Sequence, residues 1–154
     1  MKFADLLNTR AVKVVSTASS KKRLMHDLAD IAESAYGISA PRAVEALMER
    51  ESLGPTGVGH GVALPHARLT GVDAVVGVFV LLEKPIDFEA VDRQPVDVIF
   101  ALFAPEDAGV EHLKALALVS RTLRDANFCA KLRANPDPVK LHTIITESAA
   151  VQAA

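Results

Sequence analysis

The sequence predicts a single α/β domain, a mixed β-sheet sandwiched by α-helices. Three observations lead to this fold class. The chain has 154 residues, enough for one hydrophobic core and short for two. Residues 75–82 and 96–104 are nearly continuous apolar runs, which are typical of strands buried on both faces. Segments with apolar residues at helical spacing precede and follow these runs, so helices are available to cover the sheet.

The first elements follow from local signals. Residues 12–15 are rich in β-branched side chains and predict a short strand. Residues 21–36 carry apolar side chains at helical spacing, begin after the capping residue Ser20 and stop before Gly37. They therefore predict an amphipathic helix.

Proline and glycine mark the next segment. Ser39 is the expected N-cap of a second helix that ends near Glu51, with a proline in its first turn, where a missing N–H does no harm. Residues 54–61 are rich in glycine and predict a loop. Residues 62–66 predict a short extended piece, which Pro65 makes stiff.

The second half of the chain is predicted to contain one more strand and three helices. Residues 85–88 predict a short strand of their own between the two apolar runs. Helices are predicted over three further segments: 109–125, 128–134 and 138–145. Residues 149–154 are small and weakly patterned, so we expect this tail to fray.

Composition excludes several classes of function. The net charge of −2 gives no basic footprint for nucleic acid. No apolar run reaches the about 18 residues of a membrane span, and the N-terminus has no signal-peptide pattern, so we expect a cytoplasmic protein. Cys129 is the single cysteine, which excludes an internal disulfide and a multi-cysteine zinc site; we expect it to be a small buried hydrophobe. Aromatic residues make up 5%, which predicts an aliphatic core.

His66 is the first candidate for chemistry. It follows Pro65 and a glycine-rich stretch, so its ring nitrogens can be presented at a strand end among backbone amides. Neutral imidazole is a nucleophile near pH 7. The residues alone leave a hydrogen-bonded structural histidine equally open. The glycines at 57–61 are not a nucleotide loop, because neither Gly-Lys-Ser/Thr nor a strand–turn–helix context accompanies them.

The other candidates depend on helix ends. His112 stands near the start of a predicted helix, where partial positive charge disfavours imidazolium and attracts anions; a solvent-facing histidine is the alternative. Arg50 complements the end of the second helix and is also placed to reach a phosphoryl group at the glycine-rich stretch. We expect His26 to be solvated, His142 to be structural or at the surface, and His60 to be either a solvated loop residue or a neighbour of His66.

Residues 59–68, Gly-His-Gly-Val-Ala-Leu-Pro-His-Ala-Arg, resemble the phosphorylation-site segment of the IIA components of the bacterial phosphotransferase system (PTS). The similarity is to the fructose/mannitol type and, within it, to the nitrogen-regulatory branch, EIIA-Ntr. Residues 92–97, Asp-Arg-Gln-Pro-Val-Asp, and the His-Leu pair at 112–113 continue it, so that it covers roughly Phe3 to Glu147. The resemblance implies a PTS EIIA type-2 domain over residues 1–148.

The resemblance also implies a function. His66 would accept phosphate, at Nε2, from a phosphorylated HPr-like carrier, which is NPr in the nitrogen branch. His112 would support the phosphoryl group without being phosphorylated, and Arg50 would lie near it. The protein would be a phosphohistidine carrier and regulator rather than a stand-alone enzyme, with no cofactor and no metal. Its expected targets are potassium transporters or sensor kinases, without membrane insertion. His60 replaces the asparagine of many relatives and Ala67 the glycine, so contacts beside His66 can differ.

Three alternatives stay open. The first is a sugar-specific IIA component that passes phosphate to an EIIB domain. The second is a metal-dependent hydrolase with His60, His66 and His112 as ligands, although the spacing fits no common zinc motif. The third is a binding module whose phosphorylation site has lapsed.

Overall fold

The computed structural model describes the backbone of residues 1–153 and the side chains of residues 1–147. The tail predicted to fray, residues 149–154, lies outside the fully described residues. The helices are Phe3–Leu6 (α1), Lys21–Tyr36 (α2), Ala40–Ser52 (α3), Gly109–Leu123 (α4), Ala126–Arg133 (α5) and Pro138–Ala153 (α6). The strands are Val12–Val15 (β1), Gly57–Gly59 (β2), Val62–Ala63 (β3), His66–Leu69 (β4), Val76–Ile86 (β5) and Val96–Pro105 (β6).

The six strands form one mixed sheet, as the fold class predicted. Their order, which was not predicted, is β1-β5-β6-β3-β2, and β4 pairs with β6 beyond β3. The β5–β6 and β2–β3 pairs are antiparallel, whereas β1 runs parallel to β5, and β3 and β4 run parallel to β6. The carbonyl of Pro65, between β3 and β4, accepts the N–H of Leu102 at 3.0 Å. The two short strands therefore follow the same edge of β6, and this edge carries His66.

Both faces of the central strands are covered. Residues 77–82 and 98–104 are buried without interruption, and successive side chains of a strand point to opposite faces. Aliphatic side chains dominate this core in number, as predicted. The aromatic share of the core was underestimated, because all six phenylalanines are buried and the rings of Phe3 and Phe79 lie 5.6 and 6.1 Å from that of Phe100.

The two clearest local predictions are confirmed. The structure has β1 and α2 at the predicted residues. The Ser20 hydroxyl accepts the N–H of Arg23 at 3.0 Å, and Gly37 ends α2 in the left-handed conformation at φ 73°. The capping role predicted for Ser39 is wrong, since its side chain makes no capping bond and the carboxylate of Glu33 accepts the N–H of Ala40 at 2.9 Å instead.

Other boundaries also needed correction. The predicted loop at 54–61 contains β2, which exists through its pairing with β3. Residues 85–88 are not a separate strand, because β5 continues to Ile86 past an irregularity in its register. Helix α4 ends at Leu123 rather than near Asp125, since the Asp125 carboxylate caps α5. The short α1 was not predicted. None of the described helices is long and apolar enough to cross a membrane.

Candidate functional site

Helices α3 and α4 and strand β4 enclose a cleft of about 450 Å³. Strand β4 contributes His66, Ala67 and Arg68 to the lining, and its two polar side chains there are those of His66 and Arg68. They lie two residues apart and so share one face of the strand, while the intervening Ala67 is buried. Arg50 reaches the cleft from the last turn of α3, and His112 reaches it from the first turn of α4. The structure thus brings together the three predicted site residues.

The two ring nitrogens of His66 have different partners. Its Nδ1 lies 2.9 Å from the carbonyl oxygen of Leu64, which can only accept, so this nitrogen carries the proton. The Nε2 therefore holds the lone pair, and it accepts the Nε–H of Arg50 at 3.1 Å. Burial lowers the pKa of His66; the Leu64 bond opposes this change and the charge of Arg50 adds to it. The result is a neutral imidazole with a defined nucleophilic nitrogen.

Arg50 is held by a second contact. Its Nη1 donates to the carbonyl of Gly54 at 3.0 Å, just beyond the end of α3. The guanidinium is planar, so this bond and the bond to His66 together fix its orientation. The cation anticipated at the end of this helix therefore contacts both His66 and Gly54, the first residue of the glycine-rich stretch.

His112 is buried, with 4% of its surface exposed, so the alternative of a solvent-facing histidine is wrong. Its Nδ1 accepts the Nε–H of Arg68 at 3.1 Å, which leaves the proton on Nε2. That Nε2 is buried and has no hydrogen-bond partner among the described residues. Burial first, then the charges of His66 and Arg68, lower the pKa of His112 to about 4. The sequence anticipated a neutral ring here but attributed it to the helix end, whereas burial is the main cause.

The two imidazoles face each other at an angle. Their centroids are 5.5 Å apart and their planes meet at 74°. One ring offers a lone pair on Nε2 and the other a buried N–H with no acceptor, and two guanidinium groups lie beside them. A buried donor without a partner is costly, and an oxyanion in the cleft would satisfy it. The arrangement suits a nucleophile that receives a dianionic group.

The remaining candidates lie elsewhere. The backbone N–H of His60 donates to Asp92 at 2.9 Å and its carbonyl accepts from Arg133 at 3.0 Å, and it lines a separate cavity. His26 is exposed as predicted, and Nε2 of His142 bonds to the carbonyl of Leu7 at 2.9 Å. The glycine-rich stretch does not line the cleft. The expectation that backbone amides of this stretch surround the His66 ring is therefore wrong.

The three-histidine metal centre is not assembled. His60 is separated from His66 and His112, and the described residues contain no cluster of three metal-ligating side chains. Moreover, one nitrogen of each remaining imidazole accepts from an arginine, and guanidinium cations beside the lone pairs oppose a metal ion. The geometry therefore argues against the hydrolase alternative.

Arg68 was missed as a functional candidate. It appeared in the sequence only as the last residue of the segment around His66. The signal that could have identified it is the two-residue period of a strand, which places the side chain at 68 on the same side as that at 66.

Comparisons with known proteins agree on one family. The family model described as "Phosphoenolpyruvate-dependent sugar phosphotransferase system, EIIA 2" matches residues 5–148. A nitrogen regulatory protein of Bradyrhizobium diazoefficiens is 42% identical over 145 residues, which are 94% of this chain and 95% of the relative. A nitrogen regulatory protein of Klebsiella oxytoca is 40% identical over 149 residues, which are 96% of this chain and 92% of the relative. The crystal structure of nitrogen regulatory protein IIA-Ntr from Neisseria meningitidis superposes with a TM-score of 0.84 at 33% identity, covering 92% of this chain and 97% of the other.

Proposed function

Because this chain belongs to the EIIA 2 family of the phosphoenolpyruvate-dependent sugar phosphotransferase system, we propose that it is a phosphoryl carrier whose acceptor atom is Nε2 of His66. One observation carries the proposal. The lone pair of this nitrogen lies in a cleft beside the Arg50 guanidinium and the His112 ring, whose buried N–H has no acceptor. A nucleophile, a cation and an unpaired donor are what transfer of a phosphoryl group requires.

The transfer step follows from the proton positions. The Nε2 lone pair attacks the phosphorus of a phosphohistidine on the donor protein. The N–P bond to His66 forms as the donor's P–N bond breaks, and the electron pair of the broken bond returns to the donor's imidazole. The proton stays on Nδ1, where it is hydrogen-bonded to the carbonyl of Leu64, so the phosphorylated ring is positively charged. This charge makes His66 a good leaving group for onward transfer.

The neighbouring groups stabilise charge. Arg50 donates to the same Nε2 that must attack, so it releases this lone pair and moves its N–H groups to the phosphoryl oxygens. The Nε2–H of His112 donates a hydrogen bond to another oxygen, and Arg68 on Nδ1 keeps that ring in the required tautomer. No proton is exchanged with solvent in this scheme, because both histidines enter it neutral.

The regulatory role and the partners extend this proposal. The relatives at 42% and 40% identity are called nitrogen regulatory proteins. We expect the donor to be a phosphorylated HPr-like carrier of the NPr kind. The targets would be proteins such as potassium transporters or sensor kinases that distinguish the phosphorylated from the free form, and we expect this exchange in the cytoplasm.

Phosphotransfer from the phosphorylated HPr-like carrier tests the proposal. Wild-type protein should gain one phosphate that is labile in acid and stable in alkali, with the ¹⁵N resonance of the His66 Nε2 shifted on phosphorylation. His66→Ala should gain none, and the exposed His26→Ala serves as the matched control. Phosphate uptake by His66→Ala at the wild-type rate would refute the assignment. Absence of uptake by the wild type would favour a lapsed site.

A sugar-specific component is the second candidate, because the family description names a sugar phosphotransferase system. It uses the same His66 chemistry and differs in the next acceptor. Rapid onward transfer from phosphorylated protein to an isolated fructose- or mannitol-type EIIB domain would support it. Phosphorylation-dependent capture of a regulatory target without such transfer would support the first candidate.

A further inference from the structure

A buried carboxylate lies behind the cleft, outside the groups used so far. Glu51, in the last turn of α3, has a side chain that is only 5% exposed. Its Oε1 lies 2.5 Å from Nζ of Lys21, and its two oxygens accept the N–H of Thr56 at 3.1 and 3.2 Å. The Thr56 hydroxyl donates to the same carboxylate in a short bond. The three contacts to Thr56 close the segment 51–56 into a fixed turn, and the contact to Lys21 joins this turn to α2.

This turn reaches one face of His66 through the backbone. The carbonyl of Thr56 accepts the N–H of Leu64 at 2.8 Å, and the carbonyl of Leu64 accepts the Nδ1–H of His66 at 2.9 Å. Glu51 therefore fixes Thr56, Thr56 fixes Leu64, and Leu64 decides which ring nitrogen carries the proton.

The same turn reaches the other nitrogen of His66. The N–H of Gly54 donates to the carbonyl of Glu51 at 3.2 Å, and the carbonyl of Gly54 accepts Nη1 of Arg50 at 3.0 Å. Arg50 then donates to Nε2. Both hydrogen bonds of His66 thus lead back to the one segment that the Glu51 carboxylate holds.

We propose that Glu51 is a positioning residue of the phosphoryl site: its carboxylate fixes the turn at 51–56, and through Leu64 and Arg50 this turn sets the tautomer and orientation of His66. This inference rests on the proposed function for its kinetic consequence, but the tautomer of His66 can be measured independently of any phosphotransfer. Misplacement of a reacting group by about 1 Å can cost about 100-fold in rate, so a side chain that never touches the phosphoryl group can control transfer.

A purely structural role makes a different prediction. In that case Glu51 and Lys21 only join α3 to α2, and breaking their pair would destabilise the fold while His66 kept its tautomer and its rate. The two accounts are separated by the His66 ring itself, observed in folded protein. Substitution of Thr56 separates them further, because Thr56→Val removes only the hydroxyl and leaves the Lys21–Glu51 pair intact.

The experiment combines two readouts in folded protein. The ¹⁵N shifts of the His66 ring, recorded at pH 8, report the tautomer, and single-turnover transfer from the phosphorylated HPr-like carrier reports the rate. In the wild type the proton should reside on Nδ1. Glu51→Gln and Thr56→Val should give a mixture of tautomers and a transfer rate lowered about 10- to 100-fold. Thr56→Ser keeps the hydroxyl and should therefore show the wild-type tautomer of His66 and the wild-type transfer rate.

Two control variants complete the design. Glu45→Gln makes the same chemical change on an exposed position of α3 and should behave as the wild type. Tyr36→Phe removes a hydroxyl that bonds to the carbonyls of Leu6 and Gly77, so it weakens the fold far from this turn without changing the His66 tautomer. If Glu51→Gln does not fold, the Thr56 pair decides the question. A wild-type tautomer and rate in both Glu51→Gln and Thr56→Val, or in folded Thr56→Val alone, would overturn the inference. Absence of transfer to the wild type would refute the proposed function, while the tautomer would still test Glu51.

Discussion

His112 should make the fold sensitive to mild acid in a way that one substitution removes. The ring is 4% exposed, and burial lowers its pKa to about 4, whereas a histidine in an unfolded chain has a pKa near 6.5. Between these two values the unfolded chain binds a proton that the folded protein does not. The free energy of unfolding therefore falls as the pH falls, with the full contribution of His112 present above pH 6.5.

The magnitude follows from the two pKa values. Proton binding to the unfolded chain lowers the free energy of unfolding by RT ln[(1 + 10^(6.5 − pH))/(1 + 10^(4 − pH))], which is about 0.2 kcal/mol at pH 7 and about 2 kcal/mol at pH 5. His112 alone should thus lower the free energy of unfolding by about 2 kcal/mol between these conditions. His66, whose pKa is also lowered, acts in the same direction.

Urea unfolding at pH 7 and pH 5 measures this loss. His112→Gln keeps an acceptor for Arg68 and an N–H donor but does not titrate, so its loss of stability should be smaller than that of the wild type by about 2 kcal/mol. Carboxylates titrate equally in both proteins and cancel in the comparison. The exposed His26→Gln should keep the full wild-type loss. Equal pH dependence in wild type and His112→Gln, or a directly titrated His112 pKa near 6.5, would refute the reasoning.

Two further predictions test the site and the core. Arg50→Lys keeps the charge, but one ammonium group cannot hold both the His66 nitrogen and the Gly54 carbonyl as the guanidinium does. Single-turnover transfer should therefore slow about 10- to 100-fold, while the free energy of unfolding in urea changes little. A wild-type transfer rate would contradict this prediction. Gly77→Ala would place a Cβ 2.5 Å from the Phe100 ring, so the free energy of unfolding should fall by about 1–3 kcal/mol. Gly109→Ala, which enters open space at the start of α4, is the matched control, and equal stability of the two alanine variants would contradict the packing argument.

The fold was predictable where the signal is local. Helix α2 carries its own cap at Ser20, its own stop at Gly37 and an apolar stripe between them, so its bounds could be predicted without knowledge of its neighbours. Strand β2 could not, because three residues rich in glycine become a strand only through pairing with β3. The capping bond predicted for Ser39 was wrong for a similar reason, because the carboxylate of Glu33 from α2 accepts the first N–H of α3 instead.

The residues of the site could be predicted from the sequence, but the ring nitrogens that carry protons could not. The segment around His66 and the His-Leu pair at 112–113 indicated both histidines. What the sequence lacks is the environment that decides their states: the carbonyl of Leu64 on one ring and the guanidinium of Arg68 on the other. Those contacts arise from tertiary structure, because Arg68 and His112 are 44 residues apart.

The two arginines of the cleft also differ in what the reaction demands of them. Arg50 donates to the nitrogen of His66 that must attack, so its bond has to break before a P–N bond can form. Arg68 donates to Nδ1 of His112, the nitrogen that takes no part, so its bond can persist throughout. Loss of Arg50 therefore removes a group that changes partner between the free and phosphorylated states, whereas loss of Arg68 frees the tautomer of a donor that should stay fixed. Substitutions of Arg50 should consequently alter the balance between accepting and releasing phosphate, and substitutions of Arg68 should slow both directions alike.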